Sequence, residues 1–422
     1  MTTHPPALAA AAAPPATTSP GRHARGFWYV AAAFLVLMAF GTVPTPLWPL
    51  YQERDHFGAT AVTVAFAVMV VGAAFGFSLL GHLSDRLGRR RVIVPALIVA
   101  IASAGVLAAR PDLPGLVVGR VLTGVAVGMM ASTATAYLTD LHHRARPGRA
   151  GSPLPALVAG AVNLGGLALG PLASGALAQW APAPLATSYL VFAAVMAVLL
   201  LLVLLTPETV DTRLTAQDRP TRFALRPGQG SAFAAAASLG FFAFALMGLF
   251  SSLGAVMVRG ELGITSTFVI GLAPFTAFAA SAVAQLALGA LSQRLQLVVG
   301  AVAFPAGLAV TALALHDPGL GLFLFATALA GGGAGLLFKG AVTLSARAAV
   351  PASRAGVLAA FFVIAYVGMG LPSIAFSIVV RHAALVPTMI GFGAVLSAGA
   401  VAAVTFALRH EAAVRGGKVT EE

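Results

Sequence analysis

The chain has 422 residues, of which 59% are hydrophobic and 9% are charged, and so much apolar surface excludes a soluble domain because it would aggregate in water. The formal net charge of +12 is spread over tails and alternate loops, which argues against a nucleic-acid partner. No cysteine is present, so disulfides, thiolate metal sites and thiol catalysis are excluded. We therefore expect a membrane protein that binds no nucleic acid.

Apolar runs that are long enough to cross a bilayer follow one another along the chain, at about 20 residues per helical crossing. They are too long and too continuous for the alternating strands of a membrane barrel. We place them near 27–50, 60–80, 92–110, 114–138, 154–178, 186–206, 231–257, 266–290, 297–315, 319–345, 356–380 and 386–408. The expected fold class is an all-α polytopic membrane protein with about twelve helices.

The lysines and arginines predict that both termini face the cytoplasm. About 19 of the 25 fall in the tails and in every second loop, whereas Arg54, Arg110, Arg259 and Arg381 fall on the other side. This distribution indicates a multi-pass protein of the cell's inner (plasma) membrane. Residues 1–26 lack a basic residue before their alanine run, so we interpret them as a disordered cytoplasmic tail and not as a signal peptide.

The first span carries aromatic residues at both ends. Trp28 and Tyr29 stand at one end, and Trp48 and Tyr51 follow at the other, about 30 Å away along a helix. Tryptophan and tyrosine are enriched where a membrane meets water. We therefore expect these four rings to anchor the span at the two membrane surfaces.

The longest internal polar stretch lies in the middle of the chain and divides the spans six and six. The predicted organisation is a tail at 1–26, an N-terminal six-helix bundle at 27–206, a cytoplasmic linker at 207–230, a C-terminal six-helix bundle at 231–408 and a cytoplasmic tail at 409–422. The sequence GHLSDRL at 81–87 has a degenerate partner, GALSQRL at 289–295, and LTGVAVG at 122–128 matches LAGGGAG at 329–335. Because the two offsets are 208 and 207 residues, duplication explains the matches better than chance similarity.

Four motifs resemble those of the major facilitator superfamily. The loop GHLSDRLGRRR at 81–91 lies between the second and third spans, and its glycines permit tight turns. Arg120, Gly124 and Gly128 follow at four-residue steps in the fourth span, and GGLALGPLASGAL in the fifth resembles the glycine–proline motif of proton-coupled antiporters. TPLWPLY at 45–51 is similar to the first-span ending of bacterial efflux members. The likeness covers nearly the whole chain and implies two pseudo-symmetric bundles, transport by alternating access and the 12-span drug:proton antiporter branch.

The resemblance implies that the basic loop is a gate. Its candidate residues are Gly81, Asp85, Arg86, Gly88, Arg89 and Arg90. In the family the aspartate docks on the eleventh span, which here begins near Ser353 and Arg354, and Arg86 and Arg89 lie within reach of Asp140. The alternative is that the loop only anchors the topology and its charges are solvated.

Arg120 and Lys339 are the two charged residues that fall inside the predicted spans, whereas all nine histidines and all thirteen carboxylates fall in loops, tails or span ends. A charge inside a membrane helix is costly and indicates a functional site. The family lines its cavity with the fourth and tenth spans, which implies a cavity or coupling role for both cations. The alternatives are that Arg120 bonds to carbonyls of the first span and that Lys339 reaches the cytoplasmic surface.

Other polar and small residues inside the spans have two interpretations each. Asn163 and Gln285 are candidates for binding substrate or for bonding between helices. Gly166, Gly170, Pro171 and Gly175 fit either a point of helix flexing or close helix packing. Tyr366 and the phenylalanines at 241–250 fit either an apolar binding wall or ordinary core.

The leading functional prediction is a secondary transporter that exports small amphipathic compounds, with protons as the driving ion. The alternative is uptake or facilitated export of an anionic metabolite or sugar without proton antiport, which the lack of a carboxylate inside the spans favours. We expect a monomer in the lipid bilayer with a small-molecule substrate, and no cofactor or metal. An enzyme is not expected because no nucleophile–base pair lies at membrane depth.

Overall fold

The computed structural model describes residues 20–56, 58–77, 83–149, 152–210 and 223–419, and the regular elements in these ranges are helical. The helices are α1 Pro20–Thr42, α2 Trp48–Asp55, α3 Ala59–Phe75, α4 Leu83–Leu87, α5 Arg89–Ala109, α6 Leu113–Ala145, α7 Leu154–Trp180, α8 Pro184–Leu204, α9 Gly230–Gly260, α10 Thr267–Ala287, α11 Gln293–His316, α12 Leu320–Ala348, α13 Arg354–Val379 and α14 Leu385–Val419. Most of the predicted tail, Gly81 and the middle of the predicted linker lie outside the described residues.

The helices confirm the all-α polytopic fold. Within the described ranges, eleven helical segments are long and apolar enough to cross a membrane. A shorter apolar helix, Thr60–Phe75, lies where the second span was predicted. These segments coincide with the twelve predicted runs, because continuous hydrophobicity over about 20 residues is a strong signal.

The first span differs from its prediction at both ends. Helix α1 begins at Pro20, inside the predicted tail, because proline is well tolerated in a first helical turn. It ends at Thr42, since Pro44 and Pro46 lack the amide hydrogens that a continuing helix requires. A 3-10 turn at Thr45–Leu47 then leads into α2.

The described contacts place the beginning of α1 and the end of α14 on one side of the bundle, which we call the terminus side. Gly26 near the beginning of α1 packs against Thr206 just after α8. Ser231 at the beginning of α9 lies 3.3 Å from His410 near the end of α14, measured between Ser231 Oγ and His410 Nδ1. The opposite side, where α2 lies, is called the far side.

The two halves repeat the same glycine-based helix crossing. Gly124 and Gly128 of α6 lie directly against the backbone of α3, at the carbonyls of Met69 and Ala73. In the second half, Gly331 and Gly335 of α12 lie against the carbonyls of Ala277 and Ser281 in α10. Each pair in the second half follows its counterpart by 207 or 208 residues, the offset seen in the sequence repeat. Small residues thus bring the helix backbones together in both halves.

Helix α7 is wedged between α1 and α10 by its glycines. Gly170 lies against the carbonyl of Ala39 in α1, and Gly175 lies against the carbonyl of Thr267 in α10. Gly166 contacts the carbonyl of Leu35 in the same way. This arrangement matches the packing interpretation of the motif, and α7 continues as one helix through Pro171.

Pro171 has a specific partner in α1. Because proline has no amide hydrogen, the carbonyl of Leu167 four residues earlier lacks its helical donor. The hydroxyl of Thr42 donates to that carbonyl at 3.0 Å. The end of α1 therefore satisfies the group that proline frees in α7.

Candidate functional site

Arg120 is buried between helices of the first half. Its side chain is 1% exposed, and a guanidinium nitrogen donates to the carbonyl of Gly41 at 2.9 Å. Gly41 lies in the last turn of α1, where carbonyls have no helical partner and the helix dipole is negative. This hydrogen bond to a carbonyl of the first span is the alternative to a cavity role that the sequence analysis gave for Arg120.

Aromatic rings surround the same guanidinium. Its carbon lies 5.9 Å from the ring centre of Trp48 and 5.8 Å from that of Phe66, which are cation–π distances. Nearby, the hydroxyls of Tyr51 and Tyr189 lie 2.9 Å apart. This cluster gives the uncompensated cation a polarisable environment.

Trp48 and Tyr51 correct the prediction that all four aromatic residues anchor the first span at the membrane surface. They are 1% and 0% exposed, because the break after α1 places them inside the bundle. At the other end, Trp28 is 60% exposed, as an interface anchor requires. The prediction was therefore wrong for the pair near α2.

Polar contacts join the two halves on the far side. The indole nitrogen of Trp48 donates to the carbonyl of Ser251 in α9 at 3.3 Å. Glu53 of α2 forms an ion pair with Arg259 near the end of α9. The hydroxyls of Thr63 in α3 and Ser377 in α13 lie 2.8 Å apart. 

A glutamine of the first half caps a helix of the second. The side-chain oxygen of Gln179, at the end of α7, accepts from the amide of Thr267 and from the hydroxyl of Ser266, both at 3.0 Å. These donors lie at the beginning of α10, where amides lack helical acceptors. Together with the contacts above, this cap closes the far side of the interface.

The basic loop on the terminus side makes part of the predicted contacts. Arg89 Nε lies 3.2 Å from a carboxylate oxygen of Asp140, as predicted, and another nitrogen of Arg89 donates to Ser84 at 2.9 Å. Arg86 and Arg354 are exposed, and Ser353 is buried at the beginning of α13. The backbone of Asp85 lies in α4, whereas its side chain lies outside the described part of the structure.

Glu208 is a central residue of this loop that the sequence reasoning missed. Its carboxylate accepts from the backbone amides of Arg89 at 2.9 Å and Arg90 at 3.0 Å, so it caps the beginning of α5. Gly88 has φ +110°, and a side chain there would overlap the Glu208 carboxylate. One signal in the sequence could have indicated such a partner: α5 begins directly after a glycine, which has no side chain to cap the first amides of the helix.

Lys339 belongs to α12, and its side chain lies against the terminus-side end of α10. Its amino group donates to the carbonyls of Gln285 at 3.0 Å and Gly289 at 3.4 Å. The two predicted residues Lys339 and Gln285 are thus brought together through the backbone. The side chain of Gln285 lies 3.4 Å from the Ser281 hydroxyl, and the side chain of Asn163 makes no hydrogen bond to the described part of the chain.

An aromatic cluster connects the two halves. Its members are Phe77, which lies two residues after the end of α3, Phe244 of α9, Phe338 of α12, and Phe361, Phe362 and Tyr366 of α13. Phe77 is stacked on Phe362 at 5.2 Å between ring centres, and it lies 5.5 Å from Tyr366. The Tyr366 hydroxyl has no hydrogen-bond partner among the described residues.

Solved structures with the same fold are membrane transporters. The chain superposes on a variant of the nucleoside transporter NupG with a TM-score of 0.67 and 13% identity, covering 91% of this chain and 99% of that one. It superposes on the human organic anion transporter MFSD10 with a TM-score of 0.65 and 18% identity, covering 93% and 100%. At these identities the likeness concerns the fold alone.

Curated relatives align over short stretches. The chain is 37% identical to the glucose transporter GlcP of Staphylococcus epidermidis over 93 residues, or 22% of this chain and 21% of that protein. It is 34% identical to myo-inositol transporter 2 of Cryptococcus neoformans over 141 residues, or 32% and 25%. It is 37% identical to the galactose-proton symporter of Escherichia coli over 89 residues, or 21% and 19%. The matches span at most about a quarter of these relatives.

These names do not support the expected branch of drug:proton antiporters or the expectation of efflux, because they are names of sugar and inositol transporters. A family model for the major facilitator superfamily matches residues 29–372, which is most of the chain. The chain belongs to the major facilitator superfamily and is a multi-pass membrane protein.

Proposed function

We propose that the chain is a secondary transporter and that its solute is small, neutral and polyhydroxylated, that is, a hexose or a cyclic polyol. The observation that carries this proposal is that the aligned relatives are named as glucose, galactose and myo-inositol transporters. The proposal replaces the leading prediction of drug efflux by its alternative, the transport of a sugar.

The aromatic cluster supports this substrate class. Solute sites combine apolar and aromatic walls with a few placed polar groups. The rings offer flat surfaces for the C–H faces of a sugar ring. Tyr366 adds a hydroxyl that has no hydrogen-bond partner among the described residues.

We also propose that transport does not require a proton. All thirteen carboxylates fall outside the twelve predicted spans, so these spans offer no acidic group at mid-membrane to bind and release one. The terminus side would face the cytoplasm, because most of the lysines and arginines lie there. The chain would then reside in the inner membrane with both termini inside.

The test is uptake by proteoliposomes that contain the purified full-length protein. Radiolabelled glucose and myo-inositol are compared with a lipophilic cation, each with and without an imposed pH gradient. The expected result is saturable uptake of at least one polyol at a rate that the gradient leaves unchanged. Gradient-driven movement of the cation without polyol uptake would contradict the proposal and restore drug antiport.

Tyr366→Phe tests the proposed site within the same assay. It removes one oxygen that has no partner among the described residues, so the protein should fold normally. We expect KM for the polyol to rise about two- to tenfold, since a lost substrate hydrogen bond is worth about 0.5–1.5 kcal/mol. An unchanged KM would place the solute away from the aromatic cluster.

A further inference from the structure

A small basic pocket lies on the terminus side between the beginning of α1 and the end of α8. Its volume is about 210 Å³, and its lining residues are Arg22, Arg25, Tyr29 and Leu205. The three residues of α1 are spaced by three and four positions, so they share one face of the helix. The pocket is smaller than the roughly 300–1,000 Å³ that hold a drug-sized molecule.

The walls of the pocket are held in place by two contacts. Gly26 has no side chain, and this allows the backbone of α1 to lie directly against Thr206. The guanidinium of Arg90 donates to the carbonyls of Leu204 at 3.1 Å and Thr206 at 3.0 Å. The end of α8 is thereby fixed beside α1, and Leu205 is left 63% exposed.

The polar wall fits a phosphate group. Arg22 and Arg25 are exposed, and neither has an acidic partner among the described residues. Guanidinium groups bind phosphate oxygens through paired hydrogen bonds, and the tyrosine hydroxyl adds another donor. The beginning of α1 contributes the positive end of its helix dipole.

The other wall is apolar and lies at the membrane boundary. Leu205 lines the pocket, and the exposed ring of Trp28 lies next to Tyr29 in the chain. Tryptophan in this position marks the level of the lipid headgroups. A ligand that combines a phosphate with hydrocarbon therefore matches the pocket better than a free phosphate does.

We propose that this pocket binds the headgroup of an anionic glycerophospholipid. The phosphate lies between Arg22 and Arg25, and the first acyl carbons lie on Leu205. Basic pockets between membrane helices on the cytoplasmic side have the chemistry to hold such headgroups. The site is separate from the aromatic cluster and does not depend on which solute is transported.

The experiment uses the absence of cysteine in the chain. Leu205→Cys places one thiol in the pocket of the full-length protein, in nanodiscs of phosphatidylcholine with or without phosphatidylglycerol. The measured quantity is the rate at which an uncharged maleimide modifies that thiol. Arg22→Gln with Arg25→Gln removes the polar wall, and Arg294→Gln with Arg409→Gln removes two exposed arginines elsewhere on the same side.

Phosphatidylglycerol is expected to slow modification of the Leu205→Cys protein about fivefold, with or without Arg294→Gln and Arg409→Gln. It should have little effect once Arg22→Gln and Arg25→Gln are added. Arg22→Lys with Arg25→Lys, which keeps both charges, should retain part of the protection and shows that the pocket still folds. Equal protection in all variants, or none in the parent, would overturn the proposal. Equal protection by inorganic phosphate in pure phosphatidylcholine would also overturn it, because the ligand would then not be a lipid.

Discussion

Arg120 and Lys339 both bind carbonyl groups at the ends of helices. Arg120 donates to Gly41 in the last turn of α1, and Lys339 donates to Gln285 in the last turn of α10. A buried cation needs compensation for the water that it loses, and the negative end of a helix provides it. The chain therefore places two cations inside its predicted spans, whereas its carboxylates fall outside those spans.

For Arg120 we predict a structural effect. Arg120→Ala leaves the Gly41 carbonyl without its donor and Trp48 without its stacked cation, so the free energy of unfolding should fall by about 2 kcal/mol or more. The measurement is reversible unfolding in mixed detergent micelles.

The matched control is Arg110→Ala. Arg110 lies on the far side, between the end of α5 and the beginning of α6. The ion pair that it forms with Asp112 is exposed. Its removal should change the free energy of unfolding by less than about 1 kcal/mol. Equal stability of the Arg120 and Arg110 variants would refute the structural role of Arg120.

Individual residues were only partly predictable from the sequence. Arg120 and Lys339 stood out because charges are rare in apolar helices. Their carbonyl partners depend on where α1 and α10 end, which the sequence did not locate. Trp48 was misassigned because the aromatic-belt rule assumes a straight helix, and Glu208 was missed because its partners precede it by more than a hundred residues.

At the scale of helices, the close contact of α6 with α3 depends on missing side chains. A methyl group at Gly124 would overlap the carbonyl oxygen of Met69, which is backbone and cannot rotate away. Gly105 of α5 has no atom within 4 Å of the corresponding position. The two glycines therefore differ in packing and not in backbone conformation.

Gly124→Ala should lower the free energy of unfolding by about 1–3 kcal/mol, as overpacking does. Gly105→Ala should leave it unchanged or raise it by up to about 1 kcal/mol, because alanine favours a helix. Thermal unfolding of both variants in the same detergent is the measurement. A loss of equal size in the two variants would show that the α3–α6 contact is looser than described.

The helices were predictable from the length of the apolar runs, and the duplication of the two halves was predictable from two short sequence matches. The repeated crossing of α6 on α3 and of α12 on α10 gives those matches a physical basis. The break after Thr42 was not predicted, because the span was assigned by hydrophobicity alone although Pro44 and Pro46 fall inside it. Local proline chemistry decided that boundary.

At the scale of the whole molecule, the fold and family followed from the sequence, whereas the branch did not. Topology depends on many apolar residues and is therefore robust. Substrate choice depends on a few side chains placed on a shared fold. The glycine–proline motif of α7 suggested antiport, but in the structure its glycines pack against α1 and α10.

Alternating access requires the far side to open, so its contacts between the halves must separate in each cycle. Thr63 and Ser377 are suitable for locking that side, because their hydroxyls lie 2.8 Å apart on α3 and α13. Ser103 and Thr123 form a matched pair inside the first half, with hydroxyls also 2.8 Å apart. Replacing both residues of either pair by cysteine places two sulfur atoms close enough to form a disulfide.

The most direct measurement is polyol uptake by proteoliposomes that contain Thr63→Cys with Ser377→Cys, before oxidation, after oxidation and after reduction. We predict that oxidation abolishes uptake and that reduction restores it, whereas the oxidised Ser103→Cys with Thr123→Cys protein transports normally. Undiminished uptake by protein fully cross-linked between α3 and α13 would contradict transport by separation of the two halves.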